Sequence, residues 1–190
     1  MIHGGEFYKT FTNLVRDQFE YGGKKYALQE KRESTDELFD SFGKNWLLGT
    51  MCKYVYRTKN VNRGRDILKL ACYCYIIWLK RGFQIIPTGI NDPVLDTNVA
   101  QKSQYYDSFL SSSNEKDANA SLAILRERAV SPLDLIEAKL KMMSKIEFNK
   151  ITQFDLMHIF VLCYSYWFEN FKDETRQDTD TWHKDDKEKK

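Results

Sequence analysis

Residues 65–81 read RDILKLACYCYIIWLKR, and this stretch decides the fold. Its apolar residues recur with the period of about 3.6 residues that is typical of an α-helix, which predicts a helix over residues 65–81. The apolar stripe consists of Ile67, Leu70, Ala71, Cys74, Ile77 and Trp78. Because further apolar residues lie outside the stripe, we expect this helix to be central and contacted on several sides. Gly82 is expected to end it.

Helical patterns continue on both sides of this central segment. The predicted elements before it are a helix over residues 6–21 that ends at Gly22 and Gly23, a capped start at Ser34, an interruption at Gly43, and a helix over residues 44–58. The predicted elements after it are a short helix over residues 102–110 and helices over residues 114–128, 132–144 and 152–171. Polar residues 58–64 are predicted to form the turn before the central helix.

These elements predict an all-α protein, with a single bundle of six to eight helices in residues 1–171. Pro87 and Pro93 predict a long irregular loop in the middle of the chain. Residues 172–190 are almost entirely charged or polar, which predicts a flexible tail. Only 9 of the 190 residues are glycine and 3 are proline, too few for the frequent turns of a β-sandwich or barrel.

Composition narrows the possible functions. The 29 basic and 27 acidic residues leave a net charge of +2, so the chain lacks the overall positive field typical of nucleic-acid-binding proteins. The most apolar run, residues 70–79, is about half the length of a bilayer span, so we expect no membrane association. The 4 cysteines lie in apolar stretches and the N-terminus has no secretion signal, which together predict reduced, buried thiols and a cytoplasmic protein.

A basic run without any acidic residue is the most distinctive chemical feature. Residues 53–65 read KYVYRTKNVNRGR. Lys53 and Arg57 are one helical turn apart and therefore share a face. A hairpin of two helices would bring them close to Arg65 and Lys69, and such a group of cations is suited to phosphate. The alternative is a solvated turn in which Asp66 neutralises a neighbouring cation.

Carboxylates that could hold Mg²⁺ are the second ingredient, because this cation prefers oxygen ligands and phosphates complete its coordination shell. The candidate ligands are Asp66, Asp36 and Asp40, and Asp66 is the candidate catalytic residue. Two further pairs have the required spacing: Asp134 with Glu137, and Asp155 with His158. Acids in a first helical turn also have a structural explanation, since they interact favourably with the helix dipole. Tyrosines such as Tyr54 and Tyr56 either stack on a base or belong to the core.

Two stretches of sequence carry a family resemblance. Residues 49–73 contain the pattern Gly49-x-x-x-Lys53-Tyr54-x-x-Arg57-x-Lys59, then Asp66-Ile67-x-Lys69 and Tyr73. This pattern resembles a short helical-hairpin domain of phage proteins, among them phage nucleotide kinases. Residues 19–26, FEYGGKKY, with a later Asn45-Trp46, are similar to the opening of phage-type dATP/dGTP diphosphohydrolases. The paired Glu-x-x-Glu and Glu-x-x-Asp motifs of MazG-type metal sites are not intact in the chain.

The resemblance implies an all-α protein of the nucleotide-pyrophosphatase type that acts in nucleotide metabolism. We therefore expect a (deoxy)nucleotide phosphate to be bound by Lys53, Arg57, Arg65 and Lys69, with Lys24 and Lys25 as secondary contacts. In the hydrolytic version, carboxylate-bound Mg²⁺ activates water for attack on a nucleoside triphosphate.

Two other functions stay open. The first is a non-enzymatic module that binds nucleic acid or a protein through the basic turn, residues 53–65. The second is a structural subunit that packs its aromatic helix against partners, which include a further copy of the same chain. Steep salt dependence would indicate a nucleic-acid strand, because strand binding releases many counterions.

Overall fold

The computed structural model describes residues 4–27, 34–83, 105–112 and 114–173. Over these ranges the chain forms seven α-helices and no strand. They are α1 (Gly4–Ala27), α2 (Ser34–Val61), α3 (Gly64–Lys80), α4 (Tyr106–Leu110), α5 (Glu115–Arg128), α6 (Pro132–Ser144) and α7 (Gln153–Phe171). A 3-10 turn, Phe148–Lys150, precedes α7. The predicted all-α class and the predicted number of helices are confirmed.

Helix α3 lies at the centre of the bundle. It contacts α1, α2, α4 and α7, and both of its apolar flanks are buried. Tyr75 and Trp78 are the largest fully buried side chains of the helix, and their rings stack with centroids 6.0 Å apart. The prediction of a central helix ended by a glycine is confirmed, since Gly82 follows the helix with a φ of 69°.

Aromatic side chains bring α1 and α7 together beside α3. Phe11 of α1 is fully buried, and its ring contacts those of Phe160, Tyr164 and Trp167 of α7 at centroid distances of 5.4 to 5.6 Å. The contacts with Phe160 and Tyr164 are edge-to-face, and such contacts add stability beyond the burial of apolar area. The aromatic content of 14% is thus used largely to fill the core.

Two predicted helix ends are wrong. Helix α1 continues through Gly22 and Gly23 to Ala27. Glycine inside a helix costs only about 1 kcal/mol, and the backbone of Gly22 stays helical. Helix α2 runs on to Val61, because the buried Thr58 hydroxyl donates a hydrogen bond back to the Tyr54 carbonyl at 2.8 Å instead of facing a solvent turn.

The predicted interruption at Gly43 is confirmed as a kink inside α2. Its φ of 60° and ψ of −151° lie in a region that is open essentially only to glycine. The kink places Lys44 beside the end of α6, where its ammonium donates hydrogen bonds to the carbonyls of Ser144 and Ile146. A cation at this position also complements the negative end of the α6 dipole.

The predicted starts of the later helices are confirmed. Asn114 caps α5 through its side chain, Pro132 opens α6, and Thr152 forms a capping box with Asp155 at the start of α7. Of the short helix predicted over residues 102–110, the structure describes α4, Tyr106–Leu110. Residues 102–104 lie outside the described residues. The predicted loop near residues 87–103 and the tail from residue 174 onward lie outside the described residues.

The cysteines and the helix lengths bear on two further expectations. All four cysteines are free thiols, and Cys72, Cys74 and Cys163 are buried in the core, as predicted. Burial raises the pKa of each of these three thiols well above the ordinary value. Within the described part of the chain, no helix combines the length and the apolar character that crossing a bilayer requires.

The kink yields a direct test of the fold. Replacing Gly43 with alanine forces a side chain into backbone geometry that only glycine tolerates, so we expect G43A to lower the free energy of unfolding by about 1–3 kcal/mol. The matched control is Gly49, an exposed helical glycine of α2 with open space for a Cβ atom. We expect G49A to raise the stability by about 0.5–1 kcal/mol. Urea denaturation measures both, and a G43A variant as stable as the parent would contradict the kink.

Candidate functional site

The turn between α2 and α3 is short and fixed in place. Asn62 adopts a left-handed conformation with a φ of 52°, and the chain enters α3 immediately after Arg63. The Asn62 Oδ1 atom accepts a hydrogen bond of 2.8 Å from the hydroxyl of Tyr166 on α7. The hairpin of α2 and α3 is therefore held against the body of the bundle, which gives its charged side chains defined positions.

Three cations of the basic run and of α3 gather around one aromatic ring. The Lys53 Nζ atom lies 4.8 Å, the Lys69 Nζ atom 5.7 Å and the Arg57 Cζ atom 6.0 Å from the centroid of the Tyr54 ring. Tyr54 itself is only 9% exposed. We call these four residues the cation cluster. Three of the four cations that were predicted to converge, Lys53, Arg57 and Lys69, thus lie around one ring in the structure.

A buried carboxylate lies next to the cation cluster. The side chain of Asp66 is only 2% exposed, and its Oδ2 atom lies 3.3 Å from the Nε atom of Arg57. The Arg57 side chain is 41% exposed, so the ion pair joins a buried anion to a cation that reaches the surface. Arg65, which precedes Asp66 in the first turn of α3, is half-buried. Asp66 is therefore placed to orient Arg57.

The opposite flank of α2 uses its charges for packing. The Lys59 ammonium donates hydrogen bonds of 2.7 Å to both Asp134 and Glu137 of α6. Glu137 accepts two more hydrogen bonds, at 2.6 Å from Lys141 and at 3.2 Å from the Tyr56 hydroxyl. The hydrogen bonds from Lys141 and Lys59 lower the pKa of Glu137 to about 2. The Asp134 and Glu137 pair thus joins α2 to α6.

Asp40, a second predicted metal ligand, does not meet Asp66. Asp40 is exposed and lies before the kink. The helix from Lys44 to Arg57 is about 20 Å long, so Asp40 lies too far from Asp66 to share the coordination shell of one ion. Among the described residues, no group of three or more His, Cys, Asp or Glu side chains is arranged to hold a metal ion.

Three predicted site residues have side chains outside the described part of the structure. Lys24 and Lys25 belong to the last turns of α1, and Asp36 belongs to the first turn of α2. Their roles stay predictions.

The predicted pair of Asp155 and His158 has a structural role. Asp155 completes the capping box of α7 and forms an ion pair with Lys139 at 2.9 Å. His158 packs against Phe154 with ring centroids 6.0 Å apart, and burial lowers the pKa of its imidazole. Asp155 therefore stabilises the start of α7.

Sequence analysis missed the role of Tyr54 as the centre of the site. The Tyr54 ring contacts the Tyr73 ring at a centroid distance of 5.9 Å, and the Tyr73 ring in turn contacts that of Trp46 at 6.1 Å. The spacing of the tyrosines and cations in the sequence indicates that they are neighbours. Tyr54 stands three residues before Arg57, and Tyr73 stands four residues after Lys69, which are the separations of neighbours on a helix.

Comparison of the chain with protein-family models, with curated proteins and with solved structures finds no match. The resemblance of residues 19–78 to phage-type diphosphohydrolases and to the phage helical hairpin therefore stays a prediction.

The α2–α6 contact yields a pH test. The pKa of Glu137 is about 2 in the folded protein, below the ordinary value of 4.5. The contribution of this carboxylate to stability is therefore complete above about pH 4.5, and it is lost as the pH falls toward 2. We expect E137Q to be less stable than the parent at pH 7, and the difference to shrink on acidification. Urea denaturation at several pH values measures it, with E127Q, an exposed glutamate of α5, as the control. A difference that does not change with pH would contradict this account.

Proposed function

We propose that the protein binds the phosphates of a (deoxy)nucleotide at the cation cluster. One observation carries the proposal: cations from two different helices converge within 6.0 Å of the centroid of a single ring. Like charges gathered around one ring repel each other, although Asp66 offsets the charge of Arg57, and a cation–π contact at the surface returns only about 0.5–1 kcal/mol. A multiply charged anion would relieve this repulsion.

The Arg57–Asp66 ion pair supports a binding role for Arg57. Asp66 contacts Arg57 at the Nε atom. Among the described residues, none accepts a hydrogen bond from its terminal nitrogens. An arginine held in this way presents two parallel N–H groups, and that fork matches the oxygens of a phosphate. Asp66 would then act as a positioning residue.

The nucleotide part of the proposal comes from the resemblance of residues 49–73 to the helical hairpin of phage nucleotide kinases. Mg²⁺ enters as the companion ion of the phosphates. It usually binds proteins through one or two carboxylates and takes substrate phosphates and water as its other ligands. The proposal extends to hydrolysis of a nucleoside triphosphate. Release of phosphate or pyrophosphate from the triphosphate would test this extension.

Isothermal titration of dATP into two double variants, one inside the cation cluster and one outside it, tests the binding proposal. K53A/K69A removes two cations of the cluster without touching Asp66, and we expect it to weaken binding at least about tenfold, because each charge-assisted contact contributes about 1.5–3 kcal/mol. The matched control, K9A/K116A, removes two exposed lysines outside the cluster, Lys9 on α1 and Lys116 on α5. It is expected to bind like the parent.

Equal affinity of K53A/K69A and the parent would contradict the proposal. Tight binding of a single-stranded oligonucleotide, with an affinity that falls steeply with salt, would instead support the nucleic-acid module. R57A is a poorer first variant, because it leaves the buried Asp66 carboxylate without its countercharge and is expected to destabilise the fold.

A further inference from the structure

We infer that the cation cluster selects ligands by the charge of their phosphate chain and does not distinguish between the bases attached to it. The inference rests on the proposed function and names its ligand class: polyphosphates, with inorganic tripolyphosphate as good a ligand as a nucleoside triphosphate. It follows from the chemistry of the cations and from the contacts of the tyrosines.

Two of the three cations are lysines. A lysine ammonium acts as a compact point charge with freely rotating donors, so it responds to the amount of negative charge nearby rather than to molecular shape. Only Arg57 has a planar fork, and that fork matches phosphate oxygens. The cluster thus holds three cationic groups, of which Arg57 is paired with Asp66, and a single element of geometric selection. Each added phosphate supplies further charge for the lysines.

The aromatic rings near the cluster already have other contacts. Cations lie over the Tyr54 ring, and Tyr73 packs between Tyr54 and Trp46. Tyr56 is 50% exposed, but it lies about 160° away from Tyr54 around the helix and donates its hydroxyl to Glu137. A base stacks on an aromatic face, and the faces at this site are used to hold cations and to pack the hairpin.

The test compares ligands on the full chain at fixed ionic strength and without Mg²⁺. Isothermal titration uses orthophosphate, pyrophosphate, tripolyphosphate and the four deoxynucleoside triphosphates. We expect affinity to rise about three- to tenfold with each added phosphate, and the four nucleotides and tripolyphosphate to agree within about threefold, well below the factor of ten that corresponds to 1.4 kcal/mol. The K53A/K69A variant should flatten the dependence on phosphate number, whereas K9A/K116A should keep it.

Two results would overturn the inference while leaving the proposed function in place. One is a difference of tenfold or more among the four nucleotides, and the other is nucleotide binding without tripolyphosphate binding. Failure of every phosphate ligand to bind would overturn both proposals. The two therefore fail in different and distinguishable ways.

Discussion

The arrangement of the α2–α3 hairpin depends on the burial of Asp66 with Arg57 as its countercharge. A carboxylate that is 2% exposed is costly to leave alone, so Arg57 of α2 must stay within reach of the first turn of α3. Together with the buried apolar side chains between the two helices, this requirement restricts how the helices face each other. In this arrangement Lys53 and Lys69 lie at the same aromatic ring. The ion pair of Arg57 and Asp66 therefore contributes both to the packing of the hairpin and to the position of the cation cluster.

Helix α2 divides its cations between two flanks with different tasks. On one flank Lys59 forms ion pairs with Asp134 and Glu137, which joins α2 to α6. On the other flank Lys53 and Arg57 lie around Tyr54 with no such acidic helix opposite them among the described residues. The kink at Gly43 separates both flanks from the first turns of α2. A continuous basic run in the sequence thus becomes a structural contact on one side and a candidate binding surface on the other.

The sequence predicted the helical class, the central position of α3 and the interruption at Gly43, because apolar periodicity and backbone geometry are local properties. It also predicted that Lys53, Arg57, Arg65 and Lys69 would lie close together at a hairpin, and three of them, Lys53, Arg57 and Lys69, lie around one ring. It did not predict that Lys59 would turn toward α6, because that depends on a helix about 75 residues further along the chain. The ends of α1 and α2 were missed because glycine and threonine are tolerated inside helices when packing compensates.

The most direct test is the NMR signal of the Arg57 side-chain Nε–H group during a titration with pyrophosphate. This proton lies at the junction of the buried carboxylate and the exposed cations, so it reports on both. Our account predicts that the signal moves with the same saturation curve as ligand binding, and that it is absent from R57K. If pyrophosphate binds while this signal stays fixed, the anion is held elsewhere and the account is contradicted.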